Sequence, residues 1–214
     1  MDLTARQLRI GIRSPAALGR QLRLERQAPI PEDTPRSPQR PWIEASLRCY
    51  FDAGRDRDRL FADYADRTNR SKRRDSAARE IANGRIMLER FAELDRSQAD
   101  PNRVLLKPTR VTVMGHGIMM GIDVAYQTPE GWVIRHILTD DEIRRIEHEG
   151  MYATATALHF EGRPDGGDVA RVEVWMPRFE RGVAGWPRSL LGRLTPSLAT
   201  RMDEIAAGAS GKAA

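Results

Sequence analysis

The longest apolar stretch of the chain, residues 111–127, predicts a central strand of a sheet. Its sequence, VTVMGHGIMMGIDVAYQ, is rich in Val, Ile and Met and holds a single acid, Asp123. The segment WVIRHILT follows a turn at Pro129-Glu130-Gly131, and because side chains alternate along a strand, Trp132 and His136 share one face. Counting back from that turn places Asp123 about opposite His136.

Helical periodicity flanks this hairpin on both sides. A long amphipathic pattern predicts a helix from Asp75 to Leu94 before the hairpin, and a second pattern predicts a helix from Asp140 to about Phe160 after it. Alternating apolar residues from Val169 to Met176 then predict another strand. The residues of the first helix that are expected to face the sheet are Ile81, Ile86, Leu88 and Phe91.

The regions outside this core are predicted to be mostly helical. Ser14-Pro15 supplies an N-cap and a first-turn proline, and apolar residues predict a second helix over 42–51. Residues 28–41 hold five prolines, so they are expected to form an extended connector. Thr195-Pro196 predicts the start of a last helix. We therefore expect an N-terminal helical lobe with a Pro-rich connector at 1–74, an α/β core at 75–206 and a disordered tail at 207–214.

Asp123 is an acid in the middle of an apolar strand, which allows two interpretations. In the structural one, it lies on the solvent side of an edge strand or accepts a hydrogen bond from a backbone donor. In the functional one, its carboxylate binds a ligand or takes part in catalysis. The order of the surrounding elements favours the functional interpretation.

That order, a strand with Gly-x-Asp, a turn, a strand and a helix, resembles the core of the PD-(D/E)XK nuclease superfamily, in particular its RecB-like exonuclease branch. In that family a helical His-x-x-Leu-Glu-x-Phe-like segment precedes Gly-x-x-Asp, an acid-x-lysine and a helical Gln-x-x-x-Tyr. The matching positions here are Arg85, Leu88, Glu89 and Phe91, then Gly121-Ile122-Asp123, then His136-Ile137-Leu138, and finally His148 and Tyr152. Over about half of the chain, the resemblance implies a restriction-endonuclease-like mixed α/β sheet core flanked by helices.

The chain departs from this family at the residues that carry the chemistry. Such nucleases need two carboxylates on one sheet face, because Mg²⁺ takes oxygen ligands, and a lysine that orients the attacking water. His136 stands in place of the second acid, and Leu138 in place of the lysine. The resemblance therefore implies a decayed site, with Asp123 as the metal ligand if there is one, and with no cofactor expected unless Mg²⁺ or Mn²⁺ supports a surviving activity. The vestigial or candidate catalytic residues are Asp123, His136, Glu89 and Lys107.

Substitutes for the missing groups are few. Of the three lysines in the chain, only Lys107 stands close to the first strand. Arg135 is adjacent to His136, but on a regular strand it points to the other face. The acids at 140–142 are relocated carboxylates or, more simply, part of a capping box that opens the next helix.

Charge adds the expectation of a nucleic-acid partner. The net charge is +5 with a pI near 9.8, carried almost wholly by arginine, whose fork suits phosphate. An arginine bias also follows from a GC-rich genome, and a mixed charged run is often only a solvated helix face. The residues expected to contact nucleic acid are Arg70, Lys72, Arg73, Arg74, Arg85, Arg135 and Tyr152.

Cysteine and histidine content narrows the class of site. Cys49 is the only cysteine, which excludes an internal disulfide and a cysteine-rich metal site. His116, His136 and His148 offer ligands for Zn²⁺, but their spacing matches no compact ligand motif.

No apolar run reaches membrane-spanning length and the N-terminus has no signal-like region, so we expect a cytoplasmic protein without a membrane partner.

Three functions follow as hypotheses. The first is a pseudonuclease, a DNA-binding or scaffold subunit partnered with a helicase or an active nuclease. The second is an active Mg²⁺- or Mn²⁺-dependent deoxyribonuclease with relocated catalytic residues. The third is a protein-interaction subunit without nucleic-acid contact. Because the defining lysine and second acid are replaced, the first hypothesis is preferred.

Overall fold

The computed structural model describes residues 1–27, 39–70, 77–96, 104–137, 146–175 and 183–209, which form one mixed sheet with helices on both faces. The strands are β1 (Asp2–Thr4), β2 (Val104–Val113), β3 (His116–Thr128), β4 (Gly131–Ile137), β5 (Val169–Trp175) and β6 (Val183–Pro187). The helices are α1 (Ala5–Arg13), α2 (Pro15–Gln27), α3 (Gln39–Asp52), α4 (Arg57–Asn69), α5 (Ala78–Arg96), α6 (Ile146–Glu161) and α7 (Arg188–Ala209). The predicted α/β class is confirmed.

The long strand β3 organises the sheet. Strand β2 pairs with one edge of β3 in antiparallel orientation. The other edge is shared, because β1 pairs parallel with the start of β3 and β4 pairs antiparallel with its end. Strand β5 is parallel to β4, and β6 is antiparallel to β5. The predicted strands at the centre of the chain are therefore central in space as well.

The prediction of a single strand over 111–127 is wrong, because the chain reverses within it. Val113 pairs with His116 across a two-residue turn at Met114 and Gly115, whose φ values are +49° and +77°. Two successive positive φ values match the right-handed twist of a hairpin, and glycine adopts them at little cost. The apolar pattern continues through the turn, which is why periodicity alone missed it.

The second turn and its neighbours follow the sequence more closely. Thr128 pairs with Gly131 across Pro129-Glu130, which confirms the hairpin of β3 and β4. The helix predicted over 75–94 corresponds to α5. Its residue Ile86 was expected to face the sheet, but its side chain is 46% exposed, so that prediction is wrong. Residues 28–38 of the predicted connector lie outside the described residues, as do residues 138–145. Residues 39–41, which were expected to be extended, belong to helix α3, so that part of the prediction is wrong.

The last helix is longer than predicted. Helix α7 begins at Arg188, and Pro196 lies inside it instead of in its first turn. A proline in a helix removes one backbone donor, but the apolar stripe of α7 continues across it into the core. Residues 207–209, assigned to a disordered tail, belong to this helix.

The two faces of the sheet bury different helices. Helices α1, α2, α6 and α7 cover one face, where Leu8, Ile118 and Leu198 belong to one cluster. Helices α3, α4 and α5 cover the other, where Leu60 and Phe91 pack with Trp175. The first 27 residues, expected in an N-terminal lobe, thus lie against the α6 face, while α3 and α4 lie on the opposite one.

Candidate functional site

The predicted pair Asp123 and His136 lies on the two central strands. The register of β3 and β4 pairs Val124 with Arg135 and Ala125 with Ile134. Carried one residue further, this register places position 123 opposite position 136. The side chain of Asp123 lies outside the described residues, so the site is defined by what surrounds His136.

His136 is buried against α6. Its side chain is only 5% exposed, and its ring centroid lies 5.5 Å from that of Tyr152. Its Nε2 lies 3.2 Å from the Thr156 hydroxyl. The same hydroxyl donates to the Tyr152 carbonyl at 3.0 Å. The helix thus holds the imidazole in one orientation.

Arg9 closes the site from the N-terminal side. Its guanidinium lies over the Tyr152 ring, with 4.0 Å from Cζ to the ring centroid, and its Nη2 is 3.9 Å from Glu149 Oε2. Helix α1 is positioned by β1 and by a capping box in which Thr4 and Gln7 exchange hydrogen bonds. Arg9 Nε and Nη2 are buried and make no hydrogen bond with the described residues. The site therefore includes a cation from a helix that sequence reasoning did not connect with it.

Two other candidate catalytic residues lie elsewhere. Glu89 projects from α5, on the opposite face of the sheet, and pairs with Arg85 one turn earlier in the same helix. Lys107 is exposed on β2, and β3 separates that strand from His136. The structure thus brings His136 and Tyr152 together but leaves Glu89 and Lys107 apart from them.

The described donor set does not fit a hard divalent cation. Mg²⁺ prefers several oxygen ligands, usually carboxylates, whereas the described contacts of His136 include a hydroxyl and an aromatic ring, and Arg9 places a cation over that same ring. Glu149 is the nearby carboxylate on α6, and it faces Arg9. Within the described ranges, no group of three or more His, Cys, Asp or Glu side chains could hold a metal ion.

The residues predicted to contact nucleic acid divide into three groups. Arg70 and Arg85 are exposed. Arg70 pairs with Asp66 and Arg85 pairs with Glu89, in each case one helical turn away. Lys72, Arg73 and Arg74 lie outside the described residues. Arg135 and Tyr152 are buried, at 2% and 4% exposure, which removes both from any surface that a phosphate can reach.

Arg135 belongs instead to a buried polar network on the α5 face. Its Nε donates to Glu173 at 2.5 Å, and an Nη2 hydrogen donates to the Tyr126 hydroxyl at 2.7 Å. Its guanidinium also lies over the Tyr126 and Trp175 rings, 4.5 and 4.6 Å from their centroids. Arg171 adds a second cation to Glu173 at 2.7 Å. These contacts compensate the buried charge, which would otherwise be costly.

Sequence reasoning missed Arg9, Glu149 and Thr156. Thr156 and Glu149 both lie about one helical turn from Tyr152 on α6, on either side of it. Helical spacing from that tyrosine was therefore the available signal. Arg9 gave no such signal, because its place depends on how α1 docks on α6.

Comparisons with known proteins add no family assignment. No protein-family model matches the chain, and no curated protein matches it. Among the described residues, no helix has both the length and the apolar character needed to cross a membrane.

Proposed function

We propose that this chain is a catalytically inactive PD-(D/E)XK nuclease-like protein that binds DNA as a subunit of a nucleic-acid-processing complex. The order of elements supports the fold part of this proposal. Helix α5 precedes the antiparallel strands β2, β3 and β4, and α6 then leads to β5, parallel to β4. This is the arrangement of strands and helix that the Gly-x-Asp resemblance implies.

The observation that carries the inactive part is the burial of His136. In the resembled family this position holds a carboxylate exposed to a metal ion and a scissile phosphate. Here the imidazole is hydrogen-bonded to Thr156 and packed on Tyr152, with Arg9 above that ring. A hydrated cation and a phosphodiester would have to displace these side chains before they reached the strand.

The DNA-binding part rests on exposed cations near the junction of α4 and α5. Arg70 ends the first helix and Arg85 lies in the second, and Lys72, Arg73 and Arg74 fall between them in sequence. The partners Asp66 and Glu89 are themselves exposed. Exposed ion pairs are worth little, so each arginine exchanges its carboxylate for a DNA phosphate at low cost.

Salt-dependent binding of labelled DNA, followed by fluorescence anisotropy, tests this part. Replacing Arg70→Gln together with Arg85→Gln removes two phosphate contacts, so we expect weaker binding to every DNA sequence and a loss of about two units from the log–log salt slope. The matched control is Arg188→Gln with Arg201→Gln, which removes two ion-paired arginines of α7.

Two outcomes contradict the proposal. Absence of salt-dependent DNA binding by the wild-type chain would favour a protein-interaction subunit without nucleic-acid contact. An equal loss of binding in both double variants would show that net charge alone, and not the α4–α5 junction, attracts DNA.

In this proposal the complex cuts DNA through a partner, such as an active nuclease or a helicase-associated nuclease. This chain positions that partner on DNA.

A further inference from the structure

A basic pocket lies along the hairpin of α3 and α4, away from the His136 site. Its volume is about 380 Å³. Three arginines line it, Arg48 from α3 and Arg59 and Arg67 from α4, together with Asp52 and Cys49. The pocket is on the α5 face of the sheet, whereas His136 faces α6.

Arg67 is held in place before any ligand arrives. Its Nε and Nη2 both donate to Asp63, the second at 3.0 Å, and Asp63 also accepts from the Ser46 hydroxyl at 2.8 Å. The hydrogen bond from Arg67 is the main cause that lowers the pKa of Asp63, so this pair stays ionised at neutral pH. The Nη1 group of Arg67 makes no hydrogen bond with the described residues and remains a fixed donor.

Arg48 and Arg59 supply positive charge that the described residues do not compensate. Both are exposed, and neither has a carboxylate oxygen within 4.0 Å among the described residues. Asp52 is the acid that lines the pocket. Guanidinium groups bind phosphate oxygens through paired N–H donors, and three of them around one cavity favour an anion with several oxygens.

We propose that this pocket binds a phosphate group, and that in the protein this is a backbone phosphate of the bound DNA. The inference rests on the proposed DNA binding and deepens it, because it names where one phosphate is seated. Arg48 and Arg59 provide movable cations and Arg67 provides a fixed donor. A free phosphate ion has the same chemistry, so it serves as an independent probe of the pocket.

Cys49 makes the pocket measurable, because it is the only cysteine of the chain and lines the cavity. The experiment follows the rate at which iodoacetamide, a neutral reagent, alkylates Cys49 in the full chain, read by intact mass. Inorganic phosphate and a short single-stranded oligonucleotide are compared with sodium chloride at the same ionic strength. We expect several-fold slower alkylation with either phosphate-bearing probe than with chloride.

Variants then locate the effect. Arg48→Gln with Arg59→Gln should abolish the protection, while Arg20→Gln with Arg193→Gln, two exposed arginines of α2 and α7, should keep it. Asp52→Asn should strengthen protection, since it removes the acid that repels an anion. Circular dichroism of each variant checks the fold. We expect it to be unchanged, because the substituted side chains are exposed.

The outcomes separate this inference from the proposed function. DNA binding without any protection of Cys49 would overturn the pocket and leave the DNA-binding proposal standing. Protection by phosphate that depends on Arg48 and Arg59, in a chain that fails to bind DNA, would support the pocket and overturn the proposed function. Equal protection in chloride, or in the Arg48/Arg59 variant, would show screening alone and overturn the inference.

Discussion

Arg135 and His136 are neighbours on β4, and they carry polar side chains into opposite faces of the sheet. The Arg135 face holds a charged network, in which a carboxylate, a hydroxyl and two aromatic rings surround the guanidinium. The His136 face holds an imidazole bonded to a hydroxyl, with a tyrosine ring beside it. The comparison shows that the buried charge on one face is paired within the sheet, whereas the face predicted to be catalytic holds His136 packed against the chain's own side chains.

The largest effect is expected on the charged face. Glu173→Gln leaves Arg135 buried beside a neutral partner, and breaking a buried pair in this way costs about 3–5 kcal/mol. Urea unfolding measures this loss. The control Glu204→Gln breaks an exposed pair with Arg201 and should cost less than about 1 kcal/mol. Similar losses in both variants would mean that Arg135 is not the buried cation described here.

A smaller effect is expected on the His136 face. His136→Ala removes a buried hydrogen bond and the contact with Tyr152, which should cost about 1–3 kcal/mol in urea unfolding. Thr156→Val keeps the shape of the partner but removes its hydroxyl, so it should cost the hydrogen bond with His136 together with the bond to the Tyr152 carbonyl. If His136→Ala leaves stability unchanged, the imidazole does not pack in this site and the comparison fails.

Arg9 is expected to contribute less still. Arg9→Met keeps a long unbranched side chain at this position but removes the cation over the Tyr152 ring, which should cost about 0.5–1 kcal/mol. Combining it with Glu149→Gln in a double-mutant cycle measures the coupling across their 3.9 Å separation. A coupling of zero would show that Arg9 lies over the site by packing alone.

The smallest expected effect is a change in pH dependence. Burial is the main cause that lowers the pKa of His159, whose Nε2 donates to the Thr109 carbonyl at 2.9 Å. As pH falls, the imidazole of His159 is therefore protonated in the unfolded chain before it is protonated in the folded one. Its contribution to the free energy of unfolding is full above the unfolded-state pKa of about 6.5 and is lost as pH falls through the lower folded-state value. His159→Gln should flatten the fall in unfolding free energy between neutral and mildly acidic pH. An unchanged slope would contradict the assignment to His159.

Local signals in the sequence predicted much of this fold. Pro129-Glu130-Gly131 marked the hairpin of β3 and β4, and helical periodicity marked α5 and α6. The turn at Met114 and Gly115 was hidden because apolar residues continue through it. Strand β1 was missed because three residues are too short to show a period, and only pairing with β3 defines it.

The candidate site was predictable only in part. Alternation along the strand correctly sent Arg135 to the face opposite His136. Alternation says nothing about burial, however, and the partner Glu173 lies on β5, whose pairing with β4 is set by the tertiary fold. For the same reason the position of Arg9 over Tyr152 could not be predicted, because it depends on how α1 docks on α6.

The most direct test of the central claim is a cleavage assay on bound DNA. Labelled single- and double-stranded DNA is incubated with the wild-type chain and with Asp123→Ala, in Mg²⁺ or Mn²⁺, at protein concentrations that bind all of the DNA. The proposed inactivity predicts that both proteins leave the DNA intact, and it is supported by the burial of His136 against Thr156 and Tyr152. Metal-dependent cleavage by the wild-type chain that is lost in Asp123→Ala would contradict the account.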